Sequence, residues 1–224
     1  MPVVLLVRHA QASFGTADYD RLSELGRQQS RWLGEYFATR SLRPHRVMAG
    51  TLRRQRDTAI EALGAMGMAD TPIVEHAGLN EYPGEALYAA FTQGADPVAH
   101  QRRDYRDYWR TFRAGMDAWA GDRLPDMPET WTAFGNRVRA ALTAACEGAG
   151  RDDTVLVVSS GGAIGRLVAD VVGAPSATAI ELNLQFRNTG FCELLAGRDS
   201  LRLLSFNNVP HLDLPERRHA FTFA

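Results

Sequence analysis

The sequence predicts an α/β fold: a three-layer α/β/α sandwich with helices on both faces of a mostly parallel β-sheet. Two observations support this prediction. The apolar runs at residues 3–7 and 154–159 show almost no alternation of apolar and polar side chains, which is typical of parallel strands covered on both faces. Each run is followed by a segment with helical spacing, and repeated strand–helix units favour a parallel sheet.

The first strand indicates where a site would lie. Arg8 and His9 follow directly on the apolar run Val3–Val7. Open α/β sheets bind ligands just outside the carboxyl ends of their strands, so both side chains are expected in a crevice. Taken alone, His9 is explained equally well as an ordinary structural histidine, and residues elsewhere in the chain have to decide between the two interpretations.

The other elements repeat this layout. Ser23 is placed to cap a first helix, after a loop at residues 11–20. A helix is predicted from about Thr51, and another near Thr130 carries a core-facing apolar stripe. Further strands are predicted at 46–49, at 72–77 on a sheet edge, and at 190–195 and 201–206, the last two as a hairpin turning at 197–200.

Residues 85–128 differ from the rest of the chain. The stretch has helical spacing and is rich in aromatic residues and arginine, and it contains no strand pattern. We therefore predict a helical cap inserted into a single domain that spans residues 1–224. Basic and aromatic residues together could bind nucleic acid, but interspersed aspartates dilute the charge and favour helical packing; they are Asp104, Asp107, Asp117 and Asp122.

Composition excludes several classes of function. The 224 residues include 25 basic and 26 acidic ones, for a formal charge of -1, so no overall field would attract nucleic acid or an anionic membrane. No apolar run fits a signal peptide or approaches the ~20 residues of a membrane span, which predicts a cytoplasmic protein. The two cysteines, Cys146 and Cys192, lack metal or redox spacing and are interpreted as core residues.

Three further segments carry candidate site residues. The second helix begins with Arg53, Arg54 and Arg56, and cations there oppose the helix dipole unless an anion is near. Most of these arginines are expected on a solvated face, with one directed at the His9 crevice. Glu81, in a turn-rich loop, is a candidate acid or a simple solvated carboxylate. The glycine pair after Ser160 precedes a helix, an arrangement that can bind anions.

Four short motifs, in this order, resemble those of the histidine phosphatase superfamily, also called phosphoglycerate mutase-like. The resemblance covers nearly the whole chain. Residues 8–13 are similar to its Arg-His-Gly signature, and residues 52–59 to its Leu-x-Arg-x-x-x-Thr-Ala helix start, which selects Arg54. Residues 79–81 are similar to its Leu-x-Glu element, and residues 157–162 to its Val-Ser-His-Gly-Gly strand end.

The resemblance implies a catalytic set of His9, Arg8, Arg54 and Glu81. His9 would carry the phosphoryl group as phosphohistidine, the arginines would hold its oxygens, and Glu81 would protonate the leaving oxygen. No metal and no cofactor is implied. The residues assigned to substrate binding are Arg8, Arg54, Gln11, Ser160 and Gly161.

Ser160 departs from the family pattern, because a second active-site histidine usually stands at this position. A lost donor to the phosphoryl group costs about 3 kcal/mol, or ~10²-fold in rate, which predicts reduced turnover. His76 and His211 are candidates to compensate. A serine that merely caps the following helix is the structural alternative for Ser160.

The resulting expectation is a metal-independent phosphomonoesterase that acts on a small phosphorylated substrate or a phosphoprotein, with no nucleic-acid or membrane partner. One alternative is a degenerate family member that binds a phosphorylated metabolite or protein without efficient turnover. A second is a phosphoglycerate mutase, which is less favoured because it must retain the phosphoryl group against water. The motifs leave the natural substrate and the oligomeric state open.

Overall fold

A six-stranded mixed sheet forms the centre of the molecule. The computed structural model describes residues 1–13, 20–197 and 200–223. The strands are β1 (Val3–Arg8), β2 (Arg46–Ala49), β3 (Ile73–Glu75), β4 (Thr154–Ser159), β5 (Phe191–Ala196) and β6 (Leu201–Asn208). In the strand order β3-β2-β4-β1-β5-β6, the first four strands pair in parallel, and β5 pairs antiparallel with both β1 and β6. The predicted, mostly parallel sheet is therefore confirmed.

The sheet is covered by helices on both faces. Alternate residues of a strand point to opposite faces, and the core accordingly divides in two. Leu5 and Val7 pack in one cluster with α1 and α2, whereas Val4 and Leu6 pack in the other with α6 and α7. The three-layer sandwich predicted from the unalternating strands is therefore confirmed. The helices bounding these layers are α1 (Glu24–Thr39), α2 (Arg53–Ala65), α6 (Trp131–Cys146), α7 (Gly161–Val171) and α8 (Ser176–Gln185).

Capping residues and short apolar runs in the sequence correctly predicted where several helices and strands begin. The Ser23 hydroxyl accepts a hydrogen bond from Gly26 N over 2.9 Å and caps α1, and Thr130 caps α6 through Ala133 N. The predicted strand at 72–77 is β3, on the sheet edge. Residues 14–19 of the predicted loop and residues 198–199 of the predicted hairpin turn lie outside the described residues.

The predicted cap consists of three helices and the turns that join them. Residues 85–128 contain most of α3 (Gly84–Thr92), then α4 (Pro97–Arg103) and α5 (Tyr105–Ala120), and no strand. Tyr88 and Trp119 belong to the same buried cluster as Phe134 of α6, so these helices share a core with one face of the sheet. That the stretch is an insertion into a single domain stays a prediction.

A polar chain joins the three cap helices. The Tyr88 hydroxyl of α3 contacts His100 Nδ1 of α4, and His100 Nε2 lies 3.0 Å from the Asp107 carboxylate of α5. Tyr88 also stacks on Tyr108, with ring centroids 5.2 Å apart. These contacts fix the orientation of α5 relative to its neighbours.

Helix α8 was not predicted from the sequence. It follows Pro175 and brings Asn183 close to the end of β1, while the loop after it holds that strand end in place. Asn188 Nδ2 donates to the His9 carbonyl over 3.1 Å, and Thr189 N donates to the Arg8 carbonyl over 3.2 Å.

The two cysteines, both predicted as core residues, differ in burial: Cys192 is buried, whereas Cys146 is half-buried against the core. Cys146 ends α6 and Cys192 lies buried in β5, and both are free thiols. Burial raises the pKa of the Cys192 thiol to about 12, so it remains protonated and unreactive at neutral pH. Among the helices of the described residues, none is long and apolar enough to cross a membrane.

Candidate active site

The carboxyl end of β1 positions the first two site residues. Arg8 is the last residue of β1, and His9 follows with its backbone N–H donating to the Ser159 carbonyl of β4 over 2.9 Å. Both side chains are largely buried. The Arg8 guanidinium donates to the Phe186 carbonyl at the end of α8, so the arginine is held by the chain before any ligand binds.

The His9 ring is oriented for nucleophilic attack. Its Nδ1 lies 2.8 Å from the Ala10 carbonyl, an acceptor that requires a proton on Nδ1 and leaves the lone pair on Nε2. Burial, together with the nearby Arg54 and Arg8 guanidinium groups, holds the pKa of His9 well below its usual range. The neutral ring is therefore the stable form at neutral pH, and its Nε2 can act as a nucleophile.

Of the three arginines at the start of α2, Arg54 is the one that reaches His9. Its Nε donates to His9 Nε2 over 3.1 Å. Arg53 and Arg56 instead lie 3.6 Å and 3.4 Å from the carboxylates of Asp57 and Glu75. Arg54 is thus the arginine of this helix start that lies at the His9 crevice, and its catalytic role stays a prediction.

Asp20 neutralises Arg54 from the opposite side, and sequence reasoning missed it. Its carboxylate accepts from Arg54 Nη1 over 2.6 Å and from the backbone N–H of Arg53 over 2.7 Å. An acceptor for the first backbone N–H of α2 also offsets the helix dipole. No local pattern marks Asp20, because the contact depends on where Asp20 itself lies relative to α2 in the folded chain.

Glu81 is half-buried at the amino end of α7. One carboxylate oxygen accepts from Gly162 N over 2.9 Å and the other from its neighbour Tyr82 N over 3.2 Å. Burial raises the pKa of the Glu81 carboxyl, although these two backbone donors and the nearby arginines act in the opposite direction. A raised pKa lets this carboxyl hold its proton to higher pH than an exposed glutamate, which suits a group that first donates and then accepts a proton.

The glycine pair has a specific steric role. A Cβ on Gly162 would collide with Glu81 and Tyr82, and a Cβ on Gly161 would come within 2.8 Å of Asn183 Oδ1. The predicted anion-binding helix terminus is present, and the anion that Gly162 N binds is the Glu81 carboxylate.

A single cavity of about 1350 Å³ brings the predicted catalytic residues together. Arg8, His9, Arg54 and Glu81 all line it, although they come from β1, α2 and the loop after β3. The shared lining, together with the 3.1 Å contact between Arg54 Nε and His9 Nε2, gathers two cations, a neutral imidazole and a carboxyl in one cavity.

Two predicted substrate ligands, Gln11 and Ser160, are not among the described residues that line this cavity. The Gln11 side-chain oxygen accepts from the Ser23 hydroxyl over 2.7 Å. The fully buried Ser160 hydroxyl accepts from Gln55 Nε2 over 2.8 Å, and the same Nε2 donates to the Leu79 carbonyl. Ser160 stands at the N-cap of α7, but its hydroxyl makes no capping bond within the described part of the chain.

Gly161 is likewise absent from the described lining of the cavity. The assignment of Gln11, Ser160 and Gly161 to substrate binding stays a prediction.

Neither candidate histidine lines the cavity among the described residues. His76 Nδ1 accepts from Gly78 N over 3.0 Å. His211 is buried with its Nε2 2.8 Å from the Thr189 hydroxyl, and burial, with Arg217 nearby, lowers its pKa to about 3. In this arrangement neither ring occupies the position of a second active-site histidine.

Arg137 of α6 braces the loop that carries Glu81, and sequence reasoning missed it as well. Its guanidinium donates to the carbonyls of Gly78, Asn80 and Glu81 over 3.0, 2.8 and 3.3 Å. It is held in turn by both oxygens of the Glu129 carboxylate, at 2.7 and 2.8 Å. The loop conformation around Glu81 therefore depends on a residue more than fifty positions away in the chain.

A family model for the histidine phosphatase superfamily (branch 1) matches residues 4–209. The chain belongs to the histidine phosphatase superfamily. None of the curated proteins is significantly similar to it in sequence. Among the described residues of this superfamily member, no group of three or more His, Cys, Asp or Glu side chains could hold a metal ion.

Solved structures confirm the fold. A phosphoserine phosphatase mutant from Entamoeba histolytica, solved with phosphoserine, is 16% identical with a TM-score of 0.66, over 95% of this chain and 100% of that one. A mycobacterial glucosyl-3-phosphoglycerate phosphatase with inorganic phosphate is 22% identical with a TM-score of 0.65, over 94% and 99%. The protein YhfR of Bacillus stearothermophilus is 18% identical with a TM-score of 0.70, over 94% and 99%. At these identities the likeness is one of fold.

Proposed function

We propose that this histidine phosphatase superfamily member is a metal-independent phosphatase that hydrolyses phosphomonoesters through a phosphohistidine on His9. The observation that carries the proposal is the 3.1 Å contact between Arg54 Nε and His9 Nε2, in a cavity that Arg8 and Glu81 also line. It puts a neutral imidazole, whose Nε2 lone pair accepts a hydrogen bond from Arg54, next to cations that can hold a phosphoryl group.

The first half-reaction uses all four residues. The His9 Nε2 lone pair attacks phosphorus, the bond from phosphorus to the ester oxygen breaks, and the Glu81 carboxyl gives its proton to that oxygen. Arg8 and Arg54 offer forked donors to the equatorial oxygens, where charge must be held in the loose transition state. The same Nε–H of Arg54 that bonds His9 can turn to a phosphoryl oxygen, which releases the lone pair as substrate binds.

The second half-reaction returns the enzyme to its starting state. Glu81, now ionised, takes a proton from water, whose oxygen attacks the phosphohistidine. The bond between phosphorus and Nε2 breaks, and inorganic phosphate leaves with His9 neutral again. The hydrogen bond from Nδ1 to the Ala10 carbonyl, 2.8 Å long, keeps Nε2 as the atom that attacks phosphorus in the first step and leaves it in the second. It can also stabilise positive charge on the ring.

Turnover is expected to be reduced. Ser160 stands where the family pattern has a second histidine, and its hydroxyl is bonded to Gln55. One missing charged donor to the transferring group corresponds to roughly a 10²-fold lower rate. The same observation favours the second candidate, a family member that binds a phosphorylated metabolite or protein without efficient turnover.

One assay separates these functions. The protein is incubated with an aryl phosphate, and both product release and the mass of a phosphoryl adduct are measured, with His9→Ala as the control. We expect slow product release and an adduct that are both lost in the variant. If the protein shows neither turnover nor an adduct but still binds inorganic phosphate, the phosphatase proposal fails and the binding function is supported. An adduct that resists water but passes to a phosphoglycerate would indicate a mutase.

A further inference from the structure

The His9 cavity is much larger than a phosphoryl group requires. Its volume is about 1350 Å³, and pockets that enclose entire drug-sized ligands usually measure ~300–1,000 Å³. One end of the cavity, here called the phosphoryl end, is lined by the proposed catalytic residues Arg8, His9, Arg54 and Glu81. The cap helices contribute much of the remaining wall. The rest of the cavity is available to the leaving group.

One face of α5 forms an aromatic wall along this space. Tyr105, Tyr108, Trp109 and Phe112 all line the cavity, and their spacing of three, four and seven residues places them on one side of the helix. Trp109 meets Tyr105, Tyr108 and Phe112 edge to face, with ring centroids 6.1, 5.2 and 5.6 Å apart. The wall runs outward to Tyr105, which is 61% exposed.

The aromatic wall also reaches inward to the reacting groups. The Tyr82 ring lies 6.4 Å from that of Phe112, and Tyr82 is the immediate neighbour of Glu81. Its hydroxyl accepts from Asn183 Nδ2 over 3.1 Å, and burial raises the pKa of Tyr82 well above its usual range. The surface next to the leaving oxygen is therefore neutral and flat.

Charges are sparse in the outer part of the cavity. Beyond the four residues at the phosphoryl end, the charged side chains among its described lining residues are Glu85 and the exposed Arg102, which are of opposite sign. A carboxylate carried two or three bonds from the phosphate would lie between Glu81 and the aromatic wall. A charge buried without a partner is strongly disfavoured, whereas an aromatic ring packs well there.

We propose that the preferred substrates are phosphomonoesters whose alcohol carries an uncharged aromatic body close to the ester oxygen. The predicted preference in turnover rests on the proposed phosphatase function, whereas the predicted preference in binding does not. The α5 wall holds the ring by stacking and edge-to-face contacts, while Arg8 and Arg54 hold the phosphoryl group. Small phosphorylated acids fit the phosphoryl end and gain little from the rest of the cavity.

The test compares three esters of ordinary alkyl alcohols, so that the leaving groups differ little in chemistry: 2-phenylethyl phosphate, ethyl phosphate and phosphoserine. Burying a phenyl ring on the aromatic wall predicts a kcat/KM about 100-fold higher for 2-phenylethyl phosphate than for ethyl phosphate. Equal values, or a preference for phosphoserine, would overturn the inference while leaving a phosphatase.

Binding gives a readout that does not depend on turnover. The matching phosphonates, 2-phenylethylphosphonate and ethylphosphonate, have a carbon–phosphorus bond that cannot be hydrolysed by this route. Titration calorimetry is expected to show at least 10-fold tighter binding of the phenyl compound. If this preference is found without turnover of any ester, the phosphatase proposal fails and the specificity inference stands. If the two phosphonates bind equally, the inference fails.

A pair of matched variants localises the effect. Trp109→Ala removes a half-buried indole from the α5 wall, and Trp32→Ala removes a half-buried indole from α1, where it packs on Arg217 outside the cavity lining. Trp109→Ala is expected to lower the ratio of phenylethyl to ethyl phosphonate affinity by about 10-fold. Trp32→Ala should leave that ratio as in the parent protein. A ratio unchanged in both variants would contradict the role of the α5 wall.

Discussion

The side-chain amide of Gln55 donates to the Ser160 hydroxyl over 2.8 Å, and both side chains are fully buried. Gln55 Oε1 has no hydrogen-bond partner among the described residues. A longer side chain at position 160 would therefore have to compete with this amide for space.

This pair predicts how the missing histidine can be restored. Ser160→His in a Gln55→Ala background should raise kcat by up to ~10²-fold, because the imidazole gains room to donate to the phosphoryl group. Ser160→His alone should gain less, since overpacking a buried site is unfavourable. Gln55→Ala alone is the control. Steady-state rates of all three variants and the parent protein with one aryl phosphate test this prediction. If neither histidine variant is faster than the parent protein, the pocket is adapted to serine.

The raised pKa of Glu81 predicts the pH dependence of turnover. Burial favours the protonated form, so the acid needed to protonate a leaving alkoxide persists to higher pH than for an exposed glutamate. For alkyl phosphates kcat should fall as pH rises through this pKa. Glu81→Gln should abolish that limb of the profile and lower kcat by at least 10²-fold. An unaltered profile in Glu81→Gln would assign the limb to another group.

Arg137 should affect the acid step selectively. Arg137→Ala removes the donors that hold the carbonyls of Gly78, Asn80 and Glu81. The kcat for an alkyl phosphate, whose leaving group needs a proton, is expected to fall by roughly 10- to 100-fold. With 4-nitrophenyl phosphate, which needs little protonation, the loss should be much smaller.

Arg139→Ala provides a control, since it lies on the same helix with its side chain exposed. Equal losses with both substrates in Arg137→Ala would mean general loosening of the fold rather than a displaced acid.

Asp20 should weaken the binding of anions through its pairing with Arg54 over 2.6 Å. Asp20→Asn keeps a side-chain oxygen near the start of α2 but removes a negative charge close to the phosphoryl end. Inhibition by inorganic phosphate should become several-fold tighter at low ionic strength, and the difference should shrink as salt screens the charges. Weaker inhibition would instead assign Asp20 to the orientation of Arg54.

His211 predicts how stability depends on pH. Its pKa is about 3 in the folded protein against an ordinary 6.5, so between these values the unfolded chain binds a proton that the folded one does not. Stability from this group is fully present above pH 6.5 and is lost as pH falls toward 3. By pH 5 the loss is about 2 kcal/mol. Urea unfolding at pH 7.5 and 5 should show a smaller difference in His211→Gln than in the parent protein.

The parts of this structure that the sequence predicted are those with a local signal. The uninterrupted apolar runs of β1 and β4 and the serine before α1 depend on neighbouring residues. The family motifs selected Arg54 among three adjacent arginines, and the structure places it on His9. Helix α8 escaped prediction because only three of its ten residues are buried, which leaves little apolar periodicity.

Contacts between distant parts of the chain could not be predicted. Gln55 meets Ser160 across 105 positions, and Arg137 meets Glu81 across 56. Each contact joins a polar side chain to a group whose position is known only once the sheet and its helices are assembled. For the same reason the bond between the Gln11 side-chain oxygen and the Ser23 hydroxyl could not be predicted.

The separation of the site into a sheet-anchored phosphoryl end and an α5 wall has a consequence for how such a protein diversifies. Substitutions on one face of a single helix can change which alcohol is recognised without altering the residues that transfer phosphorus. New substrate ranges are then accessible through few mutational steps, each tolerated by the core of the sheet. Libraries restricted to positions 105 and 109, which lie outside the buried core, should yield changed selectivity far more often than loss of folding.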